Sequence, residues 1–249
     1  MAPSTVLYYG ALLPSMLAAI TCHEYAHARV ALLPGDPTAQ EQGRVSLNPL
    51  AHLDPLGALS FLLVGFGWGK PVPVNPVPRL HSRGFRVLPF GKSAPFLPAL
   101  TGGASAWCGV NRARLRHPRS DFFVSAAGPS TNLLLACLAA QLFKIPVLWD
   151  RLATAGLASN AQVLGLVFIH INLALGLFNL LPIHPLDGSH VVQNLLPLNQ
   201  ASRFERLNRS YGPTLLVLLF ASGYVLPVAP IGALLGPAVQ FLKTLFLGA

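Results

Sequence analysis

Long apolar runs separated by short polar or proline-rich stretches organise this chain. Residues 5–33, 121–143, 161–181 and 212–228 are apolar runs of spanning length, and a last one extends from about 230 to 247, against the roughly 20 residues that carry a helix across about 30 Å of hydrocarbon. Pro14 lies inside the first run as an expected kink, and Pro34-Gly35 ends it. Residues 34–55 are polar and turn-rich. The apolar piece that follows, Leu56 to Phe66, is too short to cross as a straight helix, so it is re-entrant or paired with a weak apolar stretch after Leu88. Residues 67–119 are rich in Pro, Gly and Arg, and their opening, GWGKPVPVNP, alternates Val and Pro in a way that favours extended backbone. The pattern predicts an all-α polytopic membrane protein, one domain over residues 1–249, with about five or six transmembrane helices and a short irregular or β-like element near residues 67–77.

Composition agrees with the pattern. Only 10% of the 249 residues are charged and 53% are hydrophobic, whereas a soluble domain carries about 25% charged residues. The formal charge of +9 raises nucleic acid as a partner, but the basic residues sit between apolar segments rather than on an aromatic-interleaved polar face. They read as topology signals, and the expected environment is the lipid bilayer. Arg44 through Arg119 hold ten of the 17 Lys and Arg, and Arg203, Arg206 and Arg209 form a second basic group. The positive-inside rule places both groups in the cytoplasm, so helix 121–143 runs outward, helix 161–181 returns and the amino terminus lies outside. Cys22, Cys108 and Cys137 are odd in number and widely spaced, which suits neither a disulfide framework nor a thiolate metal site. The first run lacks a basic leader and a small-residue cleavage site, and is expected to be retained.

That first run also carries the chemistry. His23, Glu24 and His27 form H-E-x-x-H, and on a helix the four-residue spacing puts both imidazoles on one face, where two nitrogens can bind zinc. Glu24 is placed to take a proton from a water at the metal as that water attacks a carbonyl. Two His and a Glu inside a spanning segment are costly unless paired or metal-bound, so the membrane setting gives the short motif more weight than it has in a soluble helix. A catalytic zinc needs a third protein ligand. Asp187, in FNLLPIHPLDGSH, follows the helix that returns to the cytoplasmic side and reaches the depth of His23; it equally suits an ordinary turn or cap. His170, His184 and His190 are alternative ligands.

Together, HEYAH, GRVSLNPLAHLDPLG, GWGKPVPVNP, AAGPSTNLLLA and FNLLPIHPLDGSHVV resemble, in order, the motifs of the site-2 protease family of intramembrane zinc metalloproteases, in its compact bacterial form. The resemblance implies that His23, His27 and Asp187 hold one Zn2+ ion, that Glu24 is the general base, and that the substrate is a transmembrane segment of another protein. Asn132, in GPSTN, matches a family position near the active site and suits either a hydrogen bond to the substrate or oxyanion, or interhelical glue. Asn172 and Asn179 suit glue better. The GWGKPVPVNP segment is either an edge that pairs with an unwound substrate or an irregular, donor-poor loop. The chain departs from the compact pattern by a Pro/Gly/Arg-rich insertion at about 78–112, and an appended PDZ-like or CBS-like domain is not expected within these residues.

Other classes fit less well. A metal transporter would spread its ligands along a path through several helices, and a soluble H-E-x-x-H protease on an anchor would not carry the motif in an apolar run. A non-catalytic zinc-binding chaperone or sequestering protein of the same fold would not need Glu24. A signalling role, by release of a membrane-held regulator or clearance of signal-peptide remnants, follows only by analogy.

Overall fold

A computed structural model describes residues 3–57, 69–73, 118–225 and 229–248. The described chain is helical: α1 (Pro3–Ala31), α2 (Thr38–Glu41), a 3-10 turn (Pro49–Ala51), α3 (Pro118–Leu142), α4 (Pro146–Thr154), α5 (Ala158–Asn179), α6 (Asp187–Leu195), α7 (Leu198–Val225) and α8 (Pro230–Leu247). By length and composition, Asp121–Leu142, Ala158–Asn179 and Pro230–Leu247 are apolar enough to cross a membrane. Much of the expected re-entrant piece Leu56 to Phe66, the stretch after Leu88 and the whole 78–112 insertion lie outside the described residues. Of the expected β-like element, residues 69–73 are described. They contain no strand, only an isolated antiparallel bridge between Leu53 and Gly69.

Two elements differ from the expected spans. The span expected at 212–228 begins earlier, because LNQASRFERLNRS has no Gly or Pro and α7 runs unbroken from Leu198. Hydropathy reports the membrane-crossing part of such a helix and misses its polar stem. α6 is a short polar helix that starts at Asp187, where the sequence allowed a turn or a helix cap.

α1, α3 and α5 pack against one another and carry the site; α6 closes one end against α3, and α8 covers α5 and part of α3. Close approach comes from small side chains. Ala11, Ala19, Ala28 and Ala31 on α1 and Ala136 and Ala140 on α3 are buried, which is how helices pack when lipid is as apolar as leucine and hydrophobicity no longer favours helix over lipid. Ala136, Ala140, Ile169, Leu173 and Val239 form the apolar core where α3, α5 and α8 meet. The last turns of α1, the first turns of α3 and the end of α5 lie at the same end of this bundle, since His27 touches Val124 and His23 touches Asp187.

Candidate metal centre

The i, i+4 spacing on α1 brings His23 and His27 together as the helix period requires, with their Nε2 atoms 3.1 Å apart. Asp187 joins them from the other side: its Oδ2 lies 3.1 Å from His23 Nε2 and 3.2 Å from His27 Nε2. Among the described residues these three form the one group of His, Cys, Asp and Glu with ligand atoms close enough for a shared ion. His23 and His27 are buried, and Asp187 is 21% exposed at its side chain.

Two glycines make this convergence possible. At Gly128 on α3 an added Cβ would stand 2.4 Å from His27 Nε2 and 2.5 Å from His23 Nε2, so the α3 backbone passes directly against the ligand atoms. At Gly188 it would stand 2.2 Å from the Leu180 carbonyl oxygen, so only glycine lets α6 start against the end of α5. Asp187 is the first residue of α6, and that helix start has no side-chain cap. Its carboxylate turns to the imidazoles instead of capping.

The outer nitrogens decide the protonation pattern. His27 Nδ1 is 2.6 Å from the Val124 carbonyl oxygen, and His23 Nδ1 is 2.6 Å from Asn132 Oδ1. Both partners can only accept, so both Nδ1 atoms carry a proton, and Nε2 is the nitrogen that each ring can offer to a metal. The Asp187 carboxylate oxygen faces the same two Nε2 atoms. With neutral rings, two Nε2 lone pairs and a carboxylate oxygen would face one another in a low-dielectric interior, a donor set that suits a cation. A tetrahedral zinc with bonds of about 2.0–2.1 Å to nitrogen and oxygen has neighbouring ligand atoms about 3.3 Å apart. The triangle of 3.1, 3.1 and 3.2 Å fits one face of that tetrahedron and leaves its fourth corner to other ligands.

Glu24 lines the same cleft, a cavity of about 610 Å³ with Ile20, Leu175 and Phe178 among its apolar walls. Its Oε2 accepts a hydrogen bond of 3.2 Å from the Val72 backbone N–H. The extended segment carrying Val72 is itself held: Lys70 N–H donates to the His52 carbonyl at 2.8 Å, and buried Arg44 donates to the carbonyls of Lys70 and Pro71. Pro71 and Pro73 have no N–H, so the donors of Lys70 and Val72 are both engaged within the protein. This favours the donor-poor reading of residues 69–73 over a ready edge for strand addition.

Asn132 is fully buried and is not among the residues that line the cleft. Besides accepting from His23, it donates through Nδ2 to the Ala19 carbonyl at 3.1 Å and to Asn172 Oδ1 at 2.9 Å. In this arrangement neither amide hydrogen is left for a substrate or an oxyanion. Asn172 does bridge helices, whereas Asn179 donates to the Leu175 carbonyl of its own helix and lines the cleft. His184 and His190 face each other with ring centroids 6.1 Å apart, outside the ligand group; burial and then the charges of His190 and Arg209 push His184 down. His170 is exposed on α5. Arg44, Gly128 and Val124 take part without having been singled out by sequence. The first two stood in quoted motifs, and a backbone carbonyl such as that of Val124 leaves no sequence signal.

An H-E-x-x-H pair completed by a distant aspartate, sunk in a bundle of apolar helices, defines the class: a membrane-embedded metallohydrolase. Comparison with known proteins specifies it. Residues 142–221 match the profile of peptidase family M50, a stretch that holds Asp187 and not HEYAH. YwhC of Bacillus subtilis, provisionally named a zinc metalloprotease, is 34% identical over 222 residues, which cover 87% of this chain and 84% of that protein. Rip3 of Mycobacterium tuberculosis, also provisionally named a zinc metalloprotease, is 34% identical over 99 residues, 39% of this chain and 22% of that protein. No solved structure matches. The chain belongs to peptidase family M50, the site-2 protease family of metalloproteases.

Proposed function

We propose that the chain hydrolyses peptide bonds in or near transmembrane segments of other membrane proteins, with one zinc ion held by His23, His27 and Asp187 and with Glu24 as general base. The observation that carries the reading is the convergence of the ligand atoms of His23, His27 and Asp187 beside Glu24 in one cleft. Bound zinc would supply a Lewis acid that polarises the scissile carbonyl and acidifies the attacking water. Glu24 takes the proton of that water and passes it to the leaving amine. Its Oε2 is oriented for this by Val72 N–H, and the apolar walls of the cleft suit the side chains of a transmembrane segment. A helical substrate hides its peptide groups in its own hydrogen bonds, so the bond to be cut must reach the cleft unwound.

α1 and α7 join the three apolar spans in this reading, for a count of about five. α1 packs against α3 and α5, and its His23, Glu24 and His27 line the cleft rather than facing lipid. Arg203, Arg206 and Arg209 are exposed on the stem of α7, which is tied to the site end by Gln193 donating to Glu205 at 2.8 Å and by His184 N–H donating to Asn208 at 2.9 Å. A cytoplasmic orientation of that end follows from the positive-inside rule.

The test is zinc content and cleavage of a model transmembrane substrate by purified protein in detergent, parent against Glu24→Gln. The expected result is zinc retained in both and cleavage reduced about 10²–10⁴-fold in the variant, the range of general acid–base catalysis. Zinc binding by both with cleavage by neither, over a panel of substrates, would instead make the chain a non-catalytic binding protein of the same fold.

A further inference from the structure

We propose that Asn172 is a positioning residue of the metal centre, acting through Asn132 to hold His23 in the tautomer that offers Nε2 to the metal. The proposal rests on the zinc reading above. Asn172 lies on α5, touches none of the three ligands by any hydrogen bond described, and would ordinarily be assigned to helix–helix cohesion.

The argument is one of direction. An asparagine amide can turn either way, and only its partners decide which end is oxygen. Asn172 Nδ2 is 2.9 Å from the Phe168 carbonyl oxygen, a group that only accepts, so the other end of Asn172 is its oxygen. That oxygen takes the amide of Asn132 at 2.9 Å, and the Ala19 carbonyl takes the same amide at 3.1 Å. Asn132 is therefore fixed with Oδ1 toward His23 Nδ1, at 2.6 Å. An oxygen there demands a proton on Nδ1, so the tautomer it selects in the neutral ring is the one that offers Nε2. The line runs His23 to Asn132 to Asn172 to a backbone carbonyl, each group donating to the next across α1, α3 and α5. Aligned amide dipoles in a dry interior reinforce one another, and a donated Nδ1–H makes the opposite nitrogen a better ligand.

The two ligands are thereby held by different means. His27 donates to a backbone carbonyl of α3, which no side-chain substitution removes. His23 depends on two side chains, both 0% exposed. Without the oxygen of Asn172, Asn132 loses one of the two acceptors that orient it. It can then turn its amide hydrogens toward His23 Nδ1, which favours the tautomer protonated at Nε2 and closed to the metal.

The experiment measures zinc affinity of the purified full chain by competition with a chelator. Alongside it, ¹⁵N spectra of the histidine rings of the metal-free protein identify His23 by its loss in His23→Gln. Asn172→Leu should bind zinc about 10–100-fold more weakly, the usual effect of losing a ligand's hydrogen-bond partner, and should lose the Nδ1–H signature of His23. Asn172→Asp, whose protonated form presents the same oxygen to Asn132 and a donor to Phe168, should recover most of the affinity. At saturating zinc, Asn172→Leu should cleave with the parent KM. Parent-like zinc affinity and an unchanged His23 tautomer in Asn172→Leu, with thermal stability alone reduced, would overturn the relay and leave the metal centre standing. If Asn172→Leu does not fold, Asn172→Asp decides: loss of zinc by this folded variant overturns the relay. Absence of zinc binding by the parent would overturn the metal centre and the relay with it.

Discussion

The α1–α3–α5 trio and the α7–α8 pair are both made of long helices, yet they are built differently. On α3 and α5, 28% of the apolar span is buried, against 6% on α8. The trio buries alanines, glycines and two asparagines; α7 and α8 leave Val217, Leu218, Phe241 and Leu245 exposed. In water this contrast would mark α7 and α8 as unfinished. In lipid, an exposed leucine costs nothing, and what separates a tight contact from a loose one is how closely the backbones approach and whether polar groups find partners. The trio frames the candidate site because only close backbone approach can bring an α3 glycine against two α1 imidazoles.

The comparison breaks first at that glycine. Gly128→Ala would drive a methyl into both Nε2 atoms, and the expected outcome is loss of measurable zinc, read by metal analysis of the purified variant, while the helical circular dichroism is kept. Normal zinc content in that variant would show that the two helices can separate cheaply and that their tight contact does not define the site.

A smaller effect should come from the segment that borders the trio. Arg44→Met removes the donor to the Lys70 and Pro71 carbonyls, and a buried hydrogen bond to a charged group contributes about 1.5–3 kcal/mol. The segment bearing Val72 would loosen from Glu24, so cleavage should fall about tenfold or more on that scale, with zinc affinity unchanged. A parallel loss of zinc would mean that Arg44 supports the metal site itself.

The least effect is expected on α8. Leu245, 59% exposed, should tolerate Ala with a change within about 0.5 kcal/mol, as substitutions away from packed features do. Thermal unfolding in detergent checks it. A larger loss would mean that the α7–α8 pair is held as tightly as the trio.

Parts of the fold and site were legible because they are local. Apolar runs of spanning length name their own helices, and His23 and His27 share a face through the helical period alone. Asp187 was different: residue type and depth allowed it, with His170, His184 and His190 as rivals, and motif resemblance separated them before geometry did. Asn132 shows what was not legible. As an intramembrane polar residue near the site it fitted a substrate role, and only its three partners from α1 and α5 reveal that its amide is fully engaged. Asn172 as interhelical glue was readable from its setting, but the direction of its hydrogen bonds was not.

By itself, then, the sequence determined the apolar spans, the helical periodicity, and the shared face of His23 and His27 with Glu24 beside them, because each depends on neighbours within a few residues or on mean hydropathy. The third ligand's approach, the tautomers of both histidines, the docking of Val72 on Glu24 and the direction of the asparagine line were decided by tertiary structure. Each depends on contacts between residues 40 to 164 positions apart. Contacts at that separation exist only once helices have packed, and the polarity of a hydrogen bond is set by whichever acceptor the packing presents.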